Sequence, residues 1–169
     1  MRSQFLLGAL LPLVSAHFKL NYPPARGFDE DILGTFPCGG QNTVSSNRTS
    51  WPITGGPIQL FMGHTSTKVE VLLALGNDPG SNFNTIILPT VQEQGPSNFC
   101  INGAAIHIPD NIKSQIQEGT NATIQVITNG DPSGGLYNVR SPSSPYLLRG
   151  SLTALVVRRH YLHAGRSLD

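Results

Sequence analysis

Two histidines stand where they could bind one metal ion together. His17 follows residues 1–16, in which Arg2, an apolar stretch and the small residues up to Ala16 predict a signal peptide. Cleavage after Ala16 would give His17 a free α-amino group, so that this residue offers an amine and an imidazole nitrogen. One further imidazole completes a planar three-nitrogen site that suits Cu(II), an arrangement called a histidine brace.

His64 is the candidate for that further imidazole. It follows an apolar run and a glycine in residues 61–65 (FMGHT), which indicates the end of a strand, where loops commonly carry function. For a histidine taken alone, a solvated or hydrogen-bonded side chain is the commoner interpretation. Its pairing with His17 favours a metal ligand. The other three histidines lie in an apolar stretch or near the C-terminus: His107, His160 and His163.

The composition excludes several classes of function. The net charge is +1 and only 12% of residues are charged, which argues against binding nucleic acids or acidic substrates through bulk electrostatics. After residue 16 there is no apolar run of about 20 residues, so we expect no transmembrane segment. We expect one secreted domain, with copper as its ligand.

Two cysteines and two sequons bear on the secreted state. In an oxidising compartment, the simplest interpretation of Cys38 and Cys100 is one disulfide between them. Two unrelated thiols, each without its natural partner, would give the same count. The sequons at Asn47 and Asn121 are candidate glycosylation sites of a glycoprotein.

Short β-branched segments separated by turn residues predict an all-β fold. Polar and apolar residues alternate in residues 68–72 and 123–128, as half-buried strands require. The proline-rich residues 21–27 should run extended over the surface, not as a central strand. Many short strands with frequent turns indicate an antiparallel β-sandwich of the immunoglobulin or fibronectin kind. The predicted strands are residues 58–62, 68–75, 84–88 and 122–128, and residues 110–118 could form one or two helical turns.

A set of motifs adds a family resemblance. The most specific combination is His17, the Tyr-Pro-Pro-x-Arg-Gly run at 22–27 and the Cys-Gly-Gly element at 38–40. With these features, residues 16–138 resemble the fungal copper-acquisition-factor family, whose domains look like lytic polysaccharide monooxygenases (LPMO-like) without being credited with that oxidation. The motifs that carry the resemblance are residues 17–23, 26–31, 37–42, 48, 51–52, 55–58, 95–100 and 134–138.

The resemblance implies a ligand set and a role. It implies that His17 binds Cu(II) through its amine and imidazole, that His64 gives the third nitrogen, and that an acidic oxygen occupies the axial position. Such an oxygen would favour Cu(II) over Cu(I) and block the place of an oxygen co-substrate, so the resemblance implies binding without enzymatic turnover. By sequence, Asp131 is the nearest acidic substitute, although an ordinary turn is the commoner role for Asn-Gly-Asp-Pro. Asp29, Glu30 and Asp31 could attract a cation or simply form a solvated loop.

The chain departs from the family near its C-terminus. There the family continues into a segment with a cysteine and an aspartate on the last core strand, whereas residues 139–144 here are VRSPSS. We therefore divide the chain into a signal peptide (1–16), the β-sandwich domain (17–138) and a divergent basic tail (139–169). Either the tail is genuine or it comes from a gene-model artefact such as a retained intron. A transcript sequence across the codons for residues 137–149 would distinguish these alternatives.

Three functions compete at this point. The first is a secreted, cell-surface or cell-wall-associated protein that captures Cu(II) through the histidine brace and delivers it to a copper-uptake system. The second is a copper-dependent polysaccharide monooxygenase, which usually needs a flat aromatic face, yet only 7% of residues are aromatic. The third is a metal-free structural module of the cell wall.

Overall fold

The computed structural model describes residues 17–129 and 134–143. Nine strands account for most of the regular structure, with two 3-10 helices, Glu30–Ile32 and Gly103–Ala105, and one helical turn, α1 (Asp110–Lys113). The strands are β1 (Phe18–Tyr22), β2 (Thr49–Ser50), β3 (Ile58–Met62), β4 (Ser66–Leu75), β5 (Thr85–Gln94), β6 (Ser97–Ile101), β7 (Ala122–Asn129), β8 (Gly135–Arg140) and β9 (Pro142–Ser143).

The strands form two antiparallel sheets. One sheet has three strands in the order β1-β3-β6 and the other has four in the order β5-β4-β7-β8, while β2 and β9 make a short parallel pair. Alternate residues of β1 and β3 are fully buried, and they belong to the same core cluster as the inner residues of β4 and β7. Burial of one face of each sheet against the other is the packing of a β-sandwich. The predicted all-β sandwich is confirmed.

The sequence predicted some strands better than others. Strand β3 has the predicted bounds, and β4 and β7 each extend slightly beyond them. The prediction ended β5 at Leu88, before Pro89, but the strand continues to Gln94. Pro89 is tolerated because β5 is an edge strand and its pairing with β4 shifts register between Val71↔Leu88 and Val69↔Val91.

The proline-rich segment 21–27 does not form a central strand. Its first two residues end β1, which is an edge strand, and residues 23–27 lie outside any strand. Phe18 and Leu20, which precede this segment in β1, are buried in the core. The helix predicted within 110–118 is the single turn α1, and no side chain caps its start at Pro109.

The long loop between β1 and β2 covers the exposed edge of β8. The Arg26 N–H donates to the Val139 carbonyl (2.8 Å), and the Tyr137 N–H donates to the Leu33 carbonyl (3.0 Å). These bonds satisfy backbone groups that an open sheet edge would leave to water. Strand β8 continues past Asn138 through the buried Val139 and Arg140. Residues 144–169, with the rest of the basic tail, lie outside the described residues.

The expected disulfide between Cys38 and Cys100 is not formed. Cys38 is buried in the loop that covers β8, whereas Cys100 is exposed on β6 in the other sheet. The two residues lie on different parts of the sandwich. The even number of cysteines therefore gave no information about pairing. Burial raises the pKa of the Cys38 thiol, and the nearby Arg26 opposes this increase.

Within residues 17–129 and 134–143, no helix has the length and apolar character needed to cross a membrane.

Candidate metal centre

Antiparallel pairing brings His17 to the segment that contains His64. Strand β1 begins at Phe18, which pairs with Met62, the last residue of β3. The ladder continues one step further, because the Gly63 N–H donates to the His17 carbonyl at 2.8 Å. Paired residues in such a ladder have Cα atoms about 5 Å apart. The structure therefore places the His17 backbone beside Gly63, and His64 is the next residue in the chain.

Close backbone packing positions the turn that carries His64. His64 is half-buried between β3 and β4, and a Cβ atom added to Gly95 would lie only 2.3 Å from the His64 carbonyl oxygen. The Gly95 N–H also donates to the Thr65 carbonyl at 2.9 Å. A glycine is therefore required at 95, and the turn between β5 and β6 supports the His64 backbone. Residues 95–100 belong to the family motifs, but the sequence did not reveal this contact.

His17 faces a groove of about 470 Å³ at the surface. The groove combines a nitrogen donor with aromatic walls and two opposite charges. Lys19 lies over the Phe28 ring, with its Nζ atom 5.5 Å from the ring centroid, while Glu30 supplies a carboxylate to the same groove. The main lining residues are His17, Lys19, Phe28, Glu30, Phe61 and Gly63.

The acidic residues near this groove were only partly anticipated. Of the acidic cluster 29–31, Glu30 lines the groove. Within the parts of the chain that the structure describes, no three His, Cys, Asp or Glu side chains form a group that could hold a metal ion. Asp131, the weak candidate for an acidic ligand, lies outside the described residues.

Strand β8 anchors the start of β1 from the other side. The buried Asn138 donates from its Nδ2 to the Phe18 carbonyl at 3.3 Å. This bond links residues 120 positions apart, and it holds β1 one residue after His17. Asn138 ends the family motif, but no local pattern could show that its amide supports the N-terminal strand.

Comparison with known proteins decides the family. A family model described as copper acquisition factor BIM1-like matches residues 15–139. The chain belongs to this family. The resemblance noted in the sequence is thereby confirmed, and the family supports a copper-related role.

Several relatives align with most of this chain. An uncharacterised protein of Aspergillus fumigatus is 50% identical over 131 residues, covering 76% of this chain and 53% of its own length. The lytic polysaccharide monooxygenase-like protein ham-7 of Neurospora crassa is 32% identical, covering 80% and 67%. Copper acquisition factor BIM1 of Cryptococcus neoformans is 31% identical, covering 72% and 57%. The chain thus spans about half to two thirds of the length of these relatives.

Proposed function

We propose that the chain, once it begins at His17, is a secreted copper-binding protein that captures Cu(II) at the fungal cell surface or wall. The amine and imidazole of His17 and the imidazole of His64 would form the brace. The observation that carries this proposal is the hydrogen bond from Gly63 to the His17 carbonyl, because it holds the two histidine-bearing segments side by side.

The donor set has the chemistry that Cu(II) prefers. Three neutral nitrogens in a plane suit its tetragonal geometry, and imidazole ranks among its good ligands. The chain would hold the site through backbone contacts: the strand ladder orients His17, and the Gly95 turn supports His64. Both of these supports act on the main chain.

We favour capture over oxidative catalysis, as the family resemblance implies. Glu30 lines the same groove as His17, and a carboxylate that approached bound copper would stabilise Cu(II), whereas Lys19, which also lines the groove, would oppose this effect. A protein that keeps copper as Cu(II) would bind it and pass it on without turnover. We propose that the recipient of the copper is a copper-uptake system or a cell-wall component.

Spectroscopy on the secreted protein tests the brace. The protein would be purified from a fungal host, its N-terminus sequenced, and one equivalent of Cu(II) added. We expect a sequence starting at His17 and an electron paramagnetic resonance spectrum with hyperfine splitting from three nitrogens. A start at another residue would leave the metal-free wall module as the better proposal. A spectrum without nitrogen splitting would remove the brace.

A second candidate, oxidation of polysaccharides, has one observation in its favour. Phe61, 44% exposed, lies in the groove beside His17 and could contact a sugar. Against it, Trp51 is only 4% exposed and cannot serve as a stacking platform. Product analysis on cellulose, chitin and xylan with a reductant separates the two functions. We expect no oxidised sugars, and their appearance would favour the enzyme.

A secreted protein would also be exposed to N-glycosylation at its two sequons. Asn47 is exposed in the loop before β2, whereas Asn121 is half-buried and its carbonyl accepts a hydrogen bond from the Gly76 N–H at 2.8 Å. A glycan is therefore easier to attach at Asn47. Mass spectrometry of the secreted protein, before and after removal of N-glycans, should find Asn47 occupied to a greater extent than Asn121.

A further inference from the structure

Three arginines from distant parts of the sequence meet beyond the far end of strand β4. Arg26 comes from the loop after β1, Arg48 precedes β2, and Arg140 ends β8. Arg26 and Arg48 both bond to Asn77, which follows β4. Arg48 also lies close enough to Arg140 to lower the pKa of its guanidinium, in addition to the lowering by burial. These residues form the arginine cluster.

Within residues 17–129 and 134–143, every side-chain hydrogen bond of the arginine cluster goes to a neutral acceptor. Arg26 donates from Nε to Ser141 Oγ (2.9 Å) and from its terminal nitrogens to Thr123 Oγ1 (3.1 Å) and two backbone carbonyls. Arg48 donates to the Pro142 carbonyl (3.1 Å) and to the Asn77 side chain. Arg140 donates to Thr49 Oγ1 (2.8 Å). Hydroxyls and carbonyls satisfy donors, but they do not neutralise three positive charges.

Among the described residues, no carboxylate forms an ion pair with the arginine cluster. Across residues 17–129 and 134–143 the one ion pair joins Lys113 and Asp110, on α1. Burial lowers the pKa of Arg26, and Cys38 and Asp78 each raise it by a smaller amount without forming an ion pair with it. A buried charge without a counter-charge is costly, and this cost is normally relieved by pairing.

Arg140 shows the lack of a counter-charge most directly. It is 4% exposed, and its Nε atom is buried without a hydrogen-bond partner among the described residues. Buried hydrogen-bond donors in folded proteins nearly always have an acceptor. A bound ligand could supply the acceptor for this nitrogen. Arg26 and Arg48 are only half-buried, and Asn42 and Asn77 beside them are exposed, so an acceptor could approach from their side.

We propose that the arginine cluster is a binding site for a phosphate group or a similar oxyanion. Guanidinium forks bind the oxygens of phosphate in pairs, with charge-assisted hydrogen bonds stronger than those to neutral acceptors. A tetrahedral anion offers enough oxygens to contact more than one of the three forks. The site is separate from the candidate metal centre, since His64 precedes β4 and Asn77 follows it, about 30 Å away along the strand.

Calorimetry with inorganic phosphate tests the proposal. Phosphate would be titrated into the full chain at constant ionic strength maintained with chloride. We expect saturable binding of one equivalent, weakened about tenfold or more by Arg48→Ala, which removes a charge-assisted contact. Lys68→Ala is the matched control, because it removes an equal charge from an exposed side chain elsewhere and should leave binding unchanged. Absent or non-saturable binding, or equal effects of the two variants, would overturn the site.

A second variant supplies the missing charge from within the chain. Ser141 is fully buried and its Oγ accepts from Arg26, so Ser141→Asp places a carboxylate against this guanidinium. We expect Ser141→Asp to raise the melting temperature in chloride buffer and to abolish the further rise that phosphate gives the parent protein. Ser97→Asp, on the exposed face of β6, should do neither. A Ser141→Asp protein that still gains stability from phosphate would contradict the proposal.

The source of the phosphate group is settled by a parallel titration. Glycerol 3-phosphate represents an esterified phosphate of a lipid headgroup or wall polymer. Binding as strong as that of inorganic phosphate would indicate an esterified ligand, whereas binding of inorganic phosphate alone would indicate the free ion. If neither inorganic phosphate nor glycerol 3-phosphate binds while copper still does, the phosphate site is overturned and the proposed function is unaffected.

Discussion

The two ends of strand β4 have opposite chemistry. Before its start, His17 lines a groove, and its carbonyl accepts a hydrogen bond from Gly63, the residue before His64. Beyond its end, Arg26, Arg48 and Arg140 bring positive hydrogen-bond donors together among neutral acceptors. We propose a cation site at the histidine end and an anion site at the arginine end. If both proposals hold, the two unlike sites share the loop between β1 and β2, which supplies Glu30 to one and Arg26 and Arg48 to the other.

The largest effect should come from the histidine end. His64→Ala removes one of three proposed nitrogen donors, so we expect Cu(II) affinity to fall by several orders of magnitude in a competition titration. His107→Ala is the matched control, because the His107 side chain is exposed and the bond of its backbone N–H to the Ile87 carbonyl is kept in the variant. Equal affinities of the two variants would show that the histidine end does not bind copper through His64.

Gly95→Ala tests how the fold supports the histidine end. The new Cβ would lie 2.3 Å from the His64 carbonyl oxygen, so the turn must shift. We expect a loss of about 1–3 kcal/mol in the free energy of unfolding by urea, together with weaker copper binding. Gly34→Ala is the control, since its Cβ would approach no atom closer than 3.9 Å. Normal copper binding by Gly95→Ala would mean that this turn does not position His64.

Arg140→Met tests whether the arginine end carries an unpaired charge. A buried cation without a counter-ion destabilises the fold, so in chloride buffer we expect the free energy of unfolding to stay unchanged or rise by about 1 kcal/mol. Arg48→Met, at a half-buried position with two acceptors, should give no such rise. A loss above about 2 kcal/mol for Arg140→Met would show that Arg140 is already well compensated.

The two thiols give the smallest effect and report on the arginine end. We expect the exposed Cys100 to be alkylated quickly and the buried Cys38 slowly, as peptide mapping would show. Burial raises the pKa of Cys38, so its contribution to stability is present below the ordinary thiol pKa and is lost as pH rises above it. Cys38→Ser should remove that decline in stability at alkaline pH. Equal alkylation rates would contradict the burial of Cys38.

Some of the fold could be predicted because its signals are local. Alternation identified β4 and β7, short apolar segments between turn residues identified β3 and the first part of β5, and the density of turn residues identified the sandwich, since all of these signals depend only on neighbouring residues. Strands β6 and β8 escaped prediction because their sequences, SNFCI and GLYNVR, do not alternate clearly. Such strands form because existing strands offer them hydrogen-bonding partners, which is a non-local cause.

The sequence by itself determined the donor types, the family and the two histidines as candidate ligands. Only the tertiary structure decided that His17 lies beside Gly63, that Glu30 faces the same groove, and that Cys38 and Cys100 stay apart. It alone revealed the arginine cluster, in which Arg26 contacts Ser141 across 115 positions. The physical reason is that strand register and loop packing set distances between remote residues, whereas local sequence patterns specify only which face of an element each residue occupies.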